Sequence, residues 1–149
     1  MLGLLASLQA IQVVILWIHD WAPLGALNDV RAVRAADTTS RLVAVTLIQS
    51  VPFTIGLYFS VIGLSTYFPG WLWKWLWISY GLLFLGELRA WWAPYLLWPE
   101  PERAARYGSM FGKTHAFLPQ HNGIAPNTLH CVLHFCTAAT LIVLAILTA

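Results

Sequence analysis

The chain has 149 residues, of which 59% are hydrophobic and 9% charged, and its formal net charge is +2. Soluble domains carry roughly a quarter charged residues, so this composition has too few to cover a water-exposed surface, and the class it indicates is an integral membrane protein. The small net charge leaves no electrostatic footprint for nucleic acid.

The first apolar segment covers residues 2–18. No basic residue precedes Ile18, so the n-region of a cleavable signal is missing and the segment reads as a mature transmembrane helix. Its polar members, Gln9 and Gln12, share a face and predict hydrogen bonds to a neighbouring helix, with a path-lining pair as the alternative. His19-Asp20-Trp21 ends the segment. A first polar connection, 19–41, predicts a short helix capped by Asn28, with Arg31 and Arg34 on its polar side. Thr38 or Thr39 is expected to cap the second span, with Asp37 and Arg41 paired at i,i+4.

The second span is expected at 42–64 and is kinked at Pro52, which lacks a backbone donor. Gly56, Ser60 and Gly63 offer small surfaces for close helix contact. A short turn leads to the third span, 71–92. Its WLWKWLW start predicts an aromatic belt with Lys74 snorkelling to the interface. Trp91, Trp92, Tyr95 and Trp98 predict a second belt at its far end, at the level of Trp17 and Trp21. The fourth span covers 128–147. Each segment approaches the ~20 residues needed to cross a bilayer.

The expected fold is therefore an all-α integral membrane protein, a single four-transmembrane-helix bundle in contact with the lipid bilayer. Arg31, Arg34, Arg41, Arg89, Arg103, Arg106 and Lys113 fall on one side and only Lys74 on the other. This bias predicts cytoplasmic connections and both termini outside the cytoplasm. Short loops point to a bacterial inner membrane. A homo-oligomer or a larger membrane complex is a further expectation.

The second connection, 93–127, is too long for a simple turn. Pro101 suits a first helical position. Ala104, Tyr107, Met110 and Phe111 would share the apolar face of an amphipathic helix on the cytoplasmic membrane surface. Gly112-Lys113-Thr114 lacks the upstream glycine of a phosphate-binding loop, because Tyr107 stands there. Asn122-Gly123 signals a turn, and Asn127 can cap the fourth span.

His130 and His134, at i,i+4, share a face, and this spacing can hold a metal ion through two imidazoles. The glutamate of a metalloprotease H-E-x-x-H is absent, since Cys131 occupies its place. Counting 1.5 Å per residue, His134 and Glu87 reach similar depth from opposite ends, and His19 and Asp20 end the first span at that level. Glu87, His130 and His134 are the expected ligands of a divalent metal, with His19, Asp20, His115 and His121 as ligand-binding residues that complete the site. Haem between His19 and His130 or His134 is a weaker expectation. Cys131 and Cys136, five apart on one helix, do not predict a mutual disulfide. Three functional classes remain open: a cytoplasm-facing site for a metal or small ligand, a small oligomeric transporter or channel, and an accessory subunit of a larger membrane complex.

Overall fold

In the computed structural model, which describes residues 1–149, the chain is all-α. Helix α1 spans Leu2–Ile18, α2 Val30–Ala36, α3 Thr39–Gly63, α4 Gly70–Glu87, α5 Ala93–Leu96, α6 Pro101–Phe111 and α7 Thr128–Thr148. By length and composition, α3 and α7 can each cross a membrane, and α1 is a shorter apolar helix. Helices α1 and α4 each pack against both α3 and α7. The four close around a core that includes Leu5, Leu16, Leu72, Leu76, Tyr80 and Leu144. Interhelical hydrogen bonds run through it. Gln12 Nε2 donates to Thr137 Oγ1 at 2.6 Å, and Thr140 Oγ1 donates to Gln12 Oε1 at 3.4 Å. Bonds of this kind hold helices together by about 0.6–2 kcal/mol each.

Side-chain caps set several helix ends. Thr38 Oγ1 accepts from the Arg41 amide at 3.3 Å to start α3, and Asn127 Oδ1 accepts from the His130 amide at 2.9 Å to start α7. A cap of this type is worth about 1 kcal/mol. At α2 the expected cap is displaced by one residue. Asp29 takes the role by accepting from the Ala32 amide at 3.0 Å. Asn28 instead folds back onto the end of α1, where its Nδ2 donates to the His19 carbonyl at 2.6 Å and the Ala22 carbonyl at 2.8 Å.

The third segment is not one continuous α-helix. After Glu87 the chain winds as a π-helix over Leu88–Trp92 before α5. Pro94 explains the change, because it has no N–H for the Ala90 carbonyl four residues back. That carbonyl accepts from Tyr107 Oη at 3.2 Å and from Arg103 Nη1 at 3.3 Å, both on α6. The rewinding also turns Trp91 and Tyr95 inward, where they are buried with Ile124. The expectation of an outward belt fails at these two residues; Trp98 is exposed.

Helix α6 forms where predicted, with Pro101 in its first turn. Ala104, Tyr107 and Phe111 pack on the Trp91–Tyr95–Ile124 cluster, so this face covers protein. The Asn122-Gly123 turn supports it from below. The amides and carbonyls of His121 and Ile124 exchange hydrogen bonds of 2.9 Å around it, with φ of 51° at Asn122 and 78° at Gly123. A Cβ on Gly123 would sit 2.9 Å from the Ala104 Cβ.

Gly123→Ala is therefore expected to destabilise the protein by about 1–2 kcal/mol through its positive φ, more if α6 is displaced. Gly81→Ala, on open helix surface, is expected to be neutral or stabilising by about 0.5–1 kcal/mol. Thermal unfolding in detergent compares the two; equal midpoints would contradict the account.

Candidate functional site

Helices α3 and α4 touch closely at one level. There Gly56 leaves no room for a Cβ beyond 3.0 Å from Leu76, and Trp75 Nε1 donates to the Pro52 carbonyl at 3.1 Å. Toward Glu87 a cavity of about 1110 Å³ opens between them, walled by Leu42, Val45 and Gln49 of α3 and Leu82, Leu83 and Gly86 of α4. Arg103, Arg106, Tyr107, Met110 and Phe111 of α6 roof it. Its inner wall carries His19, Asp20, Glu87, Trp91, His130 and His134. Five of the seven residues singled out by the sequence thus face one space, from α1, α4 and α7.

Each is held by identifiable partners. Glu87 is 5% exposed; its Oε1 accepts from Thr137 Oγ1 at 2.7 Å, while its Oε2 is buried without a partner. An unpaired buried polar atom costs about 1–3 kcal/mol or more. His134 Nδ1 lies 3.1 Å from Trp92 Nε1. Indole nitrogen only donates, so His134 Nδ1 is the acceptor and the ring's proton sits on Nε2. His130 has the opposite arrangement. Its Nδ1 is 2.7 Å from Asn127 Oδ1, an oxygen that also accepts the His130 amide, so Nδ1 carries the proton and Nε2 keeps a lone pair. Trp91 lies against the His130 ring at 4.4 Å between centroids, and Phe111 meets it edge-on at 4.9 Å. One turn apart on α7, the two histidines therefore have opposite hydrogen-bonding roles, Nε2 accepting on His130 and donating on His134.

His19 ends α1 with Nδ1 at 3.0 Å from the Ile15 carbonyl and Nε2 at 3.2 Å from Asp20 Oδ2. Burial pushes the Asp20 carboxyl up, and the neighbouring His19 pulls it back in part.

The metal expectation for Glu87, His130 and His134 is not met. No group of three or more His, Cys, Asp or Glu side chains is placed to hold a metal ion. The tautomers supply a reason, because metal ligation by His134 needs a lone pair that Trp92 occupies on Nδ1 and a proton removes on Nε2. Both nitrogens of His19 face partners within the chain, the Ile15 carbonyl and Asp20. His115 and His121 lie outside the cavity. His115 Nδ1 pairs with Thr128 Oγ1 at 2.7 Å, and His121 Nδ1 pairs with the Tyr95 carbonyl. Both pin the 112–127 connection to its neighbours. Cys131 and Cys136 are free thiols.

Trp91, Trp92, Thr137 and Asn127 join the site through their contacts with these residues, which no local sequence pattern marks. Asn127 was readable as a cap, but not as the group that orients His130. Thr137 lies seven residues after His130 on the same face of α7, a spacing that could have drawn notice.

The roof is tied down by ion pairs. Arg106 Nη2 lies 2.8 Å from Asp37 Oδ2, and Arg41 lies 3.4 Å from the same carboxylate. Glu100 accepts from Arg103 Nε at 2.8 Å and from Arg89 Nη1 at 2.6 Å. Arg103 above all holds the Glu100 carboxyl down at about 2. An acid depressed by folding contributes its stability fully above its unfolded value and loses it as pH falls through the folded one. That window runs from 4.5 down to about 2. Near-ultraviolet circular dichroism of the Trp91–Tyr107 contact should be constant from neutral pH to about 5 and weaken below about 4. Glu100→Gln should reduce it modestly at neutral pH, as suits an exposed pair. A signal that is flat with pH in the wild type would contradict this role.

No family model, curated protein or solved structure matches the chain.

Proposed function

We propose that the chain is a four-helix integral membrane protein, with α1, α3, α4 and α7 as spans, that binds a small hydrogen-bonding ligand at its cytoplasmic end. The observation that carries this reading is the unpartnered, buried Glu87 Oε2 in the same cavity as an imidazole acceptor and an imidazole donor. Ionisable groups at membrane depth normally face a bundle interior or cavity and mark function. Large apolar side chains on the outer surface, such as Ile48, Ile78, Leu82 and Ile142, are exposed, as a lipid-facing bundle requires. The basic residues on the α2–α6 side, against Lys74 alone at the other end, support a cytoplasmic placement of that side.

The ligand is held by hydrogen bonds in place of metal coordination. Glu87 Oε2 and His130 Nε2 accept from it, and His134 Nε2 donates to it. Thr137 positions Glu87, Asn127 positions His130 and Trp92 positions His134. Helix α6 closes the roof through the Asp37 and Glu100 ion pairs.

Transport draws support from Gln9, fully buried with both side-chain polar atoms unpartnered. Against a continuous path stand Leu5, Leu72, Leu76 and Leu144, all fully buried in the core. Ligand binding is therefore the preferred function.

Native mass spectrometry of protein released from its own membrane is the test. A non-metal adduct is expected on the wild type, with occupancy lowered about tenfold by Glu87→Ala or His134→Ala, the loss expected for one buried hydrogen bond. His115→Ala should leave the adduct in place. An adduct indifferent to Glu87 and His134, or a metal ion lost with His130 and His134, would overturn the reading.

A further inference from the structure

We infer that the ligand is an amphiphile with an uncharged, hydroxyl-bearing head, seated at Glu87, His130 and His134, and a hydrocarbon chain that leaves between α3 and α4. The inference rests on the ligand-site reading above and adds the ligand's class and its route.

The walls argue for the chain. Between α3 and α4 the cavity is bounded by Leu42, Val45, Leu82 and Leu83. Leu82 is 66% exposed and Gly86 is exposed beside it, so the gap reaches the outer apolar surface of the bundle. Gly86 adds no side chain to block it, and a Cβ there would meet nothing within 4 Å. The gap is closed at its other limit by Gly56 against Leu76 and by the Trp75–Pro52 hydrogen bond. A molecule entering sideways from lipid therefore meets apolar walls first and polar groups last. Pockets for drug-sized ligands occupy about 300–1,000 Å³, so a cavity of about 1110 Å³ holds a head and the first part of a chain.

The inner wall argues for the head. Glu87 Oε2 and the His130 Nε2 lone pair require donors, and His134 Nε2–H requires an acceptor. A hydroxyl supplies both on one atom, and vicinal hydroxyls supply them on neighbouring atoms. An anionic head is opposed by the Glu87 and Asp20 carboxyl groups, while the roof arginines are already engaged: Arg106 by Asp37 and Arg103 by Glu100. A cationic head is opposed by the His134 N–H, and the Trp91 face it would seek is covered by Tyr107 and His130 at 4.3 and 4.4 Å.

The test uses the full chain in nanodiscs and a monoacylglycerol carrying a diazirine in its acyl chain. Photolabelling followed by peptide mapping is expected to concentrate label on 42–49 and 82–87. Unlabelled monoolein should compete and oleate should compete poorly. Leu82→Trp, which fills the gap from an exposed position, should lower labelling about tenfold. Leu85→Trp, on the exposed outer face, should leave it unchanged and serves as the folding control. A chain-free diol photoprobe separates the two claims. If it labels the same segments and Leu82→Trp has no effect on either probe, the cavity binds a ligand from water and the amphiphile is overturned. If neither probe labels these segments above the exposed face of α7, the ligand site itself falls. Oleate competing better than monoolein would overturn the uncharged head.

Discussion

The absent N–H of Pro94 governs the polar end of this molecule. It frees the Ala90 carbonyl, which then binds Tyr107 and Arg103 and so docks α6. It accompanies the π-helical winding of Leu88–Trp92, which carries Trp91 under α6 and Trp92 toward α7. Both histidines of α7 then acquire aromatic neighbours from α4's continuation. A π-turn inside an otherwise α-helical segment often marks a functional site, and here its two tryptophans do different work. Trp91 packs at a tilt against one imidazole, and Trp92 donates to the other.

The consequences reach the chemistry. With Trp92 on Nδ1 of His134 and Asn127 on Nδ1 of His130, two histidines that look equivalent in sequence become a donor and an acceptor. A pair that resembles a metal clasp by spacing becomes a hydrogen-bonding pair by environment. Glu87, steadied by Thr137 on one oxygen, presents the other. The polar network continues through Gln12 and Thr140, joining α1, α4 and α7 below the cavity. The groups that line the cavity and those that pack the core are thus one connected set, and loss of Thr137 would disturb both.

Much of the architecture was legible because apolar runs and caps are local signals. Thr38 and Asn127 cap as their types suggest, and the i,i+4 pair Asp37–Arg41 forms. Depth counting along regular helices also brought Glu87, His130, His134, His19 and Asp20 to one level, and they do line one cavity. The failures share a cause: the signal was local but the outcome was set by distant partners. Asn28 fits a cap, yet carbonyls of His19 and Ala22 claim it. Trp91 and Tyr95 fit an interfacial belt, yet the Pro94 winding and α6 bury them. His115 and His121 looked like spare ligands, yet Thr128 and the Tyr95 carbonyl take them. No spacing rule reports which nitrogen of His134 holds the proton, because that depends on an indole 42 residues away.

The histidine tautomers are the most direct test of the central claim that this is a hydrogen-bonding site and not a metal centre. Nitrogen-15 NMR of histidine-labelled protein in nanodiscs, assigned with His130→Gln and His134→Gln, reads them out. A proton is expected on Nδ1 of His130 and on Nε2 of His134, both unmoved by added zinc. A proton on Nδ1 of His134, or zinc-dependent shifts at both rings, would contradict it.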